Sequence, residues 1–292
     1  MKRHYMPGVV DSYEVSDPRE IEAVNNDPRV DREFDSKTCP INSLLIGRSL
    51  KALSYAGHRF PTVSPRDSVE GKEKQEALWR RLNLRVPDVK LGPEELEPLA
   101  NWVRGHGAEE SVGLQAQQIL GRLFSETFVA TPESWEAAVT LVQAPRSFRK
   151  FVWSNVTGKL GRAKKLLTSM VSDDLSAVNA IGIAVHNLVN SLRRMRTFYG
   201  DAELRGSLSA AEAAKRCLVA PVSVMREATA GGELNGNRFA RGSLFILNIG
   251  VASRLEGAGG LVFMKGSWSS CPAEEWVPAM LEGVWSSATS SR

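Results

Sequence analysis

Cys271 is followed by Pro272-Ala273-Glu274-Glu275. A capping position, then proline, then acids in the first turn is the pattern of a helix start. Unpaired backbone amides and the positive end of a helix dipole favour thiolate over thiol there. A thiolate so placed can act as a nucleophile or as an axial ligand to haem iron. The approach, Phe263-Met264-Lys265-Gly266-Ser267-Trp268-Ser269-Ser270, is largely apolar and carries a glycine. Against the functional reading stands a plain one, a cysteine that fills space. That plain reading is the one adopted for Cys217, within a helix, while Cys39 before Pro40 reads as a turn residue. No sequence feature sets a histidine beside Cys271, which weighs against a cysteine-nucleophile enzyme.

Two other stretches hold chemistry-bearing side chains. His186-Asn187 interrupts an apolar run, Ile181 to Leu192. His186 offers an acid–base group near its ordinary pKa of about 6.5; the competing reading is a core histidine bonded to backbone. Residues 146–165 hold Arg146, Arg149, Lys150, Lys159, Arg162, Lys164 and Lys165 and no acid. That run reads first as a solvated helix face. It also suits phosphate, nucleic acid or an acidic partner. Phe148, Phe151 and Trp153 lie among the cations, and their spacing predicts a buried helical stripe.

The elements that must position these groups are mostly helical. Val10–Val15 predicts a short strand, and Ser16-Asp17-Pro18 opens a helix that stops near Asn25-Asn26-Asp27-Pro28. The charged run 70–76 predicts a solvated helix start. Further helices are predicted after Gly92-Pro93, over 110–124, after Thr131-Pro132, over 166–199 and from the capping box Ser209-Ala210-Ala211-Glu212. Ile181, Val185, Leu188 and Leu192 repeat on one helical face. After Pro221 the character changes: Ser223-Val224-Met225, Gly242–Asn248 and Gly260-Leu261-Val262-Phe263 are short apolar runs between glycines, predicting a small β region. Pro278 is expected to kink or shorten the helix after Cys271. The expectation is one domain over 1–292. It has an irregular part over 1–75, a helical body over 76–220, and over 221–292 a β region, the cysteine loop and a last helix.

Composition narrows the classes. The chain has 292 residues, 37 Lys and Arg against 33 Asp and Glu, and a net charge of +4. A charge that small does not require a nucleic-acid partner. With 4 His, 3 Cys and neither CxxC nor HExxH, a structural zinc site and a secreted disulfide scaffold are set aside. The N-terminus has no apolar run after its cations, so it is not read as a signal peptide. No run of apolar residues has membrane-spanning length, and a cytoplasmic location is the default expectation. Helices first and strands late, with no phosphate-binding loop, argue against a Rossmann fold, a TIM barrel and a sandwich.

Phe263-x-x-Gly266-x-Trp268-x-x-Cys271-Pro272-Ala273 resembles the haem-binding loop of the cytochrome P450 superfamily. The preceding residues follow that superfamily's order. Ala213-Ala214-Lys215-Arg216, Pro221 and Arg226-Glu227-Ala228 are similar to the end of its K helix and the next strand. Gly236 to Leu244 resembles the turn that returns along the haem, and Ala180 to Asn187 falls where its distal helix crosses. Tyr13 to Pro18 is a fainter likeness to its opening strand and helix. The resemblance covers residues 165–285 and implies a mainly α fold with a small β region, P450-like and truncated.

It also implies roles. Haem b would be the cofactor, with Cys271 as proximal thiolate, Phe263, Gly266 and Trp268 shaping the loop, Arg226 meeting a propionate and His58-Arg59 supplying a second contact. His186 and Asn187 would face the distal side and a small organic substrate. The sequence departs from the pattern in four places. The loop is one residue longer, Trp268 stands at the basic position, the Glu-x-x-Arg pair is imperfect around Glu212, Lys215 and Arg216, and the distal helix has no acid–threonine pair. Those departures turn the expected chemistry from reductase-fed hydroxylation toward peroxygenase, dehydration or rearrangement. Two alternatives are kept: a haem-free, partner-binding protein on the same scaffold, and a basic helical nucleic-acid-binding protein, which the small net charge disfavours. The short chain makes a homodimer or an assisting partner a further expectation.

Overall fold

A computed structural model describes residues 1–290, apart from 36, 37, 67, 69–71, 74, 75, 77, 80–91 and 173. Most of the charged run 70–76 thus lies outside the described residues. By its internal packing the chain divides into two compact units. One is Met1–Gln75 with Ala220–Cys271, the other Glu76–Val219 with Pro272–Arg292.

The first unit is built on a five-stranded sheet of β1 (Lys2–Met6), β2 (Val10–Val15), β9 (Leu244–Leu247), β6 (Val224–Ala228) and β3 (Val30–Asp31), in the order β1-β2-β9-β6-β3. β2 pairs with β9 in parallel, Tyr13 beside Phe245, and β6 pairs antiparallel with both β9 and β3. The late strands therefore find their partners at the N-terminus, about 200 residues away in the chain. Hairpins β4–β5 (Ser54–Tyr55, His58–Arg59) and β7–β8 (Gly232–Leu234, Asn237–Phe239) complete its strands. Helix α1 (Pro18–Asn26) starts as the sequence predicts: Asp17 accepts from Glu20 N at 3.0 Å and Pro18 occupies the first turn. Helix α2 (Pro40–Ala52) comes next. Ile21 and Val24 of α1 pack with Tyr13, Val15, Phe245, Leu247 and Leu261 in the main core of this unit. The run Gly260–Phe263 is not a strand. Gly259–Val262 is a turn of 3-10 helix, because the chain must reverse at once through left-handed Met264 and Gly266.

The second unit is helical: α3 (Pro93–Val103), α4 (Glu109–Arg122), α5 (Pro132–Gln143), α6 (Phe148–Val156), α7 (Lys159–Ser169), α8 (Leu175–Asn179), α9 (Val185–Gly200), α10 (Ala210–Cys217) and α11 (Val277–Thr289). Between α8 and α9, Ala180–Ala184 winds as a wider π turn. Thr131 caps α5 in a reciprocal pair with Ser134, and Ser209 caps α10 with Glu212, both as predicted. The stripe Ile181, Val185, Leu188 and Leu192 is buried, with Leu141, Leu167 and Met195. Pro278 sits in the first turn of α11 and so fixes where that helix begins rather than kinking it.

The aromatic prediction for 146–165 fails. Phe148 and Trp153 are exposed, Trp153 by 68%, while α6 buries Ser154 instead. Period marks an amphipathic helix but does not say which face meets a neighbour.

The stretch Leu175–Gly200 is long and apolar enough to cross a bilayer by composition, and 56% of its most apolar window is packed inside the protein.

Candidate functional site

Cys271 ends the loop predicted to hold it. Its backbone N–H donates to the Phe263 carbonyl at 2.8 Å, closing the loop into a hairpin-like turn. The turn needs left-handed backbone at Met264 (φ 52°) and Gly266 (φ 72°); glycine takes that conformation freely and methionine does not. Cys271 is partly exposed, and its sulfur is not in a disulfide. Immediately after it comes the short 3-10 turn Pro272–Glu275 rather than the start of an α-helix, because Trp276 and Pro278 start α11 afresh.

Four residues upstream of that turn, Trp268 lies among three arginines. The guanidinium carbons of Arg32, Arg66 and Arg226 stand 4.3, 4.7 and 5.1 Å from its ring centre. Asn25, wholly buried in the last turn of α1, joins them. Its side-chain oxygen accepts from Arg226 Nε and Nη2 at 3.0 and 2.9 Å and from Ser269 Oγ at 3.2 Å. Its backbone carbonyl accepts from Trp268 Nε1 at 2.7 Å and Arg66 Nη2 at 2.8 Å. Helix C-termini leave carbonyls without intrahelical partners and carry partial negative charge, so cations gather there readily.

The cluster is rich in charge that is not paired. Arg226 is 3% exposed and Arg32 7%. Among the described residues, no carboxylate stands within ion-pair distance of Arg32, Arg66 or Arg226. Asp31 is the nearest acid acting on Arg32 and Arg226, but its carboxylate accepts from the backbone N–H of Arg32 and Arg66 at 2.6 and 2.7 Å. Asp27 is committed to Arg29 by two bonds of 2.9 and 2.6 Å. Burial pushes Arg32 down to about 10 and Arg226 well below its ordinary value, with the neighbouring guanidiniums adding to both shifts. Among the described residues, the buried Nε–H groups of Arg32 and Arg66 have no acceptor. Buried, unpaired cations are costly, so such a cluster is short of an anion.

A haem offers an iron for a thiolate and carboxylates for cations. The donor set on and beside this loop fits it: a reduced cysteine, and two residues earlier Ser269, bonded at 3.1 Å to an arginine cluster that lacks acids among the described residues.

The other predicted residues fall elsewhere. Arg59 donates to the carbonyls of Arg32 and Glu33 at 2.8 and 2.9 Å, so it braces the backbone that carries Arg32, while His58 is exposed. His186 and Asn187 lie on α9 in the helical unit. The His186 ring stacks on Trp135 at 4.9 Å and 29°. Trp135 reaches it over Gly113 of α4, where a Cβ would stand 2.3 Å from the indole. Burial lowers His186 to about 4, against a hydrogen bond with Ala138 that favours the cation and with Arg146 and Arg193 disfavouring it. The ring is uncharged at neutral pH, which removes the acid–base group expected near 6.5. Ala213, Ala214 and Cys217 form the buried face of α10 and Glu212 serves the cap, so no Glu-x-x-Arg pair is built there. Burial pushes the Cys217 thiol up to about 12, leaving it inert.

The π turn has a local account. Its wider winding frees the Ile181 carbonyl, and the buried Gln117 amide donates to it at 3.0 Å and to the Ser134 carbonyl at 3.1 Å. Ser134 Oγ returns a bond to Gln117 Oε1 at 2.6 Å.

Sequence reasoning missed Asn25, Arg32 and Arg66. Arg32 and Arg66 lie in irregular segments with no motif, and Asn25 reads only as part of the helix stop Asn25-Asn26-Asp27-Pro28, which hints that carbonyls are exposed nearby. Among the described residues, no three His, Cys, Asp or Glu side chains gather as a metal site.

No protein-family model and no curated protein matches the sequence. Solved structures do. A cytochrome P450 of Mycobacterium smegmatis crystallised with econazole superposes with a TM-score of 0.68 at 15% identity, covering 99% of this chain and 86% of that one. P450BioI, in complex with a hexadec-9Z-enoic acid ligated acyl carrier protein, gives 0.65 at 16%, covering 98% and 86%. CxnD, a cytochrome P450 enzyme for C–S bond formation in chuangxinmycin biosynthesis, gives 0.62 at 14%, covering 96% and 79%. Mainly helical, with a small sheet formed by the first and last strands, this chain has the cytochrome P450 fold in a divergent form that spans 79–86% of those structures' chains.

Proposed function

We propose that the protein is a haem-thiolate enzyme acting on a small organic substrate. The observation that carries this reading is the acid-poor cluster of Arg32, Arg66 and Arg226 next to the closed Cys271 loop. Cys271 would hold the iron, and the arginines would face the haem carboxylates. When bound, the group supplies redox chemistry at a thiolate-ligated iron. The chain's own residues limit the chemistry open to it. Ala180 to Asn187 offers no acid–threonine pair, and His186 is neutral and packed on Trp135. A proton relay through α9 is therefore not built from these side chains. That favours peroxygenase, dehydration or rearrangement chemistry over reductase-fed hydroxylation, because the former do not need protons delivered to dioxygen. The acyl ligand of P450BioI and the C–S bond formation of CxnD are consistent with a small organic substrate.

A second reading is favoured by one specific observation. Four of Arg226's N–H groups already have acceptors: two in Asn25, one in Ser269 and one in the Met225 carbonyl. A haem-free, partner-binding protein on this scaffold would look the same at that residue.

The ultraviolet–visible spectrum separates the two. Protein expressed with haem supply is measured as isolated, after reduction under carbon monoxide, and as Cys271→Ala. A Soret band that reports thiolate ligation and is lost or shifted in Cys271→Ala is expected. Absence of any Soret band, also after haem is added, selects the haem-free reading.

A further inference from the structure

Helix α6 is amphipathic the wrong way round. Toward the protein it turns Ser154, which is buried, and half-buried Phe151 and Asn155. Toward water it turns Phe148, Val152, Trp153 and Val156, the last 79% exposed. Arg149 and Lys150 are exposed among them. At 100° per residue, the solvent-facing residues span an arc of about 200°, more than half the helix. The linked helix α7 adds exposed Arg162, Lys165 and Leu166. Among the described residues, Arg149, Arg162 and Lys165 have no carboxylate in ion-pair range, while Lys159 pairs with Glu136 at 2.6 Å and Lys150 bonds Gln143 at 2.7 Å. From 146 to 165 there is no acid at all.

We infer that α6, with the start of α7, is a docking surface for an anionic lipid bilayer. The inference is independent of the haem reading. The charge is complementary to anionic headgroups, and an apolar face with Trp and Phe beside Arg and Lys is the composition of a helix lying in a membrane interface. Two other occupants fit less well. The core of a protein–protein interface is depleted of lysine, whereas here exposed Lys150 stands next to Trp153 around the helix, with Arg149 between Trp153 and Val156. At a lipid surface such interleaved cations extend past the apolar groups to the phosphates. A nucleic acid makes a polar, strongly charged interface that has no use for the aliphatic Val152, Val156 and Leu166. Peripheral binding of this kind needs no spanning helix.

The test is cosedimentation of the full chain with vesicles of phosphatidylcholine alone and with about 30% phosphatidylglycerol. Binding to the anionic vesicles, weakened by salt and absent with phosphatidylcholine alone, is expected. R149E/K150E should lower partitioning by about 25-fold or more, at about fivefold per cation. W153S/V156S should lower it about tenfold or more through lost apolar burial. Both change exposed positions, and circular dichroism checks that they fold. K215E/R216E on α10 should bind as the unaltered protein does. Brominated lipid should quench emission that W153F lacks, which locates α6 at the bilayer even if a charge variant misfolds. Equal binding to both vesicle types, an equal loss in K215E/R216E, or identical quenching in W153F overturns the proposal. So does failure to bind vesicles while a DNA duplex or an acidic protein is retained through the same residues.

Discussion

The two units each bury a polar cluster, and the clusters differ in kind. In the helical unit, Gln117, Ser134 and the Ile181 carbonyl bond one another, and every member is neutral. In the sheet unit, the guanidiniums of Arg32, Arg66 and Arg226 surround Trp268 at Asn25, and among the described residues two of their N–H groups have no acceptor. A neutral, closed network needs nothing further and holds the π turn in place. A charged, open one is costly in isolation and gains when an anion arrives. The first is therefore architecture, and the second is the proposed ligand site.

The strongest way to break this contrast is at Gln117. Gln117→Leu takes a donor from the Ser134 and Ile181 carbonyls in the core, while Ser134 Oγ keeps its bond to the Thr131 carbonyl, and should cost about 3 kcal/mol or more at about 1–3 kcal/mol per unpaired group. Urea unfolding measures it, and the loss should be the same with or without haem. A loss below about 1 kcal/mol would mean the network is dispensable.

Next comes pH. His186 takes up a proton in the unfolded chain near 6.5 but in the folded chain only near 4. The unfolded state binds more protons in that window, so stability is full above about 6.5 and falls as pH drops toward about 4, by about 3 kcal/mol. His186→Phe should flatten this part of the stability–pH curve. An unchanged slope would place the titration elsewhere.

Arg32→Met sharpens the comparison, because its sign should depend on ligand. Without haem, removing a buried unpaired charge should leave stability unchanged or raise it by about 1 kcal/mol or more. With haem, losing one charge-assisted bond of about 1.5–3 kcal/mol should weaken affinity about tenfold to a hundredfold, read by Soret titration. Haem dimethyl ester, which lacks the carboxylates, should bind both forms alike. A destabilised apo-protein with unchanged haem affinity would make the cluster structural after all.

The smallest effect is at Trp268. Trp268→Phe keeps an aromatic face for the arginines but loses the Nε1–H bond to Asn25, at a cost of about 1 kcal/mol. Thermal unfolding resolves it.

Much of the architecture is legible locally. Asp17-Pro18, Thr131-Pro132 and Ser209 with Glu212 mark real helix starts because a capping side chain and a proline act within one turn. The stripe from Ile181 to Leu192 is a real buried face because a helix repeats every 3.6 residues. The order of motifs from Pro221 to Cys271 is enough to point to the P450 fold.

The site is another matter. Asn25 meets Arg226 across 201 positions of sequence and Trp268 across 243. No periodicity encodes such pairings; they exist because β2 and β9 pair in parallel and bring both ends of the chain to one sheet. Burial likewise turned His186 from a titrating group near 6.5 into one near 4. The sequence alone shows that Trp153 lies on an amphipathic helix among cations, and only packing leaves it in water. Local chemistry thus determined where elements begin and which fold they compose. Tertiary structure decided which charges meet, because burial and pairing depend on neighbours the chain reaches only once folded.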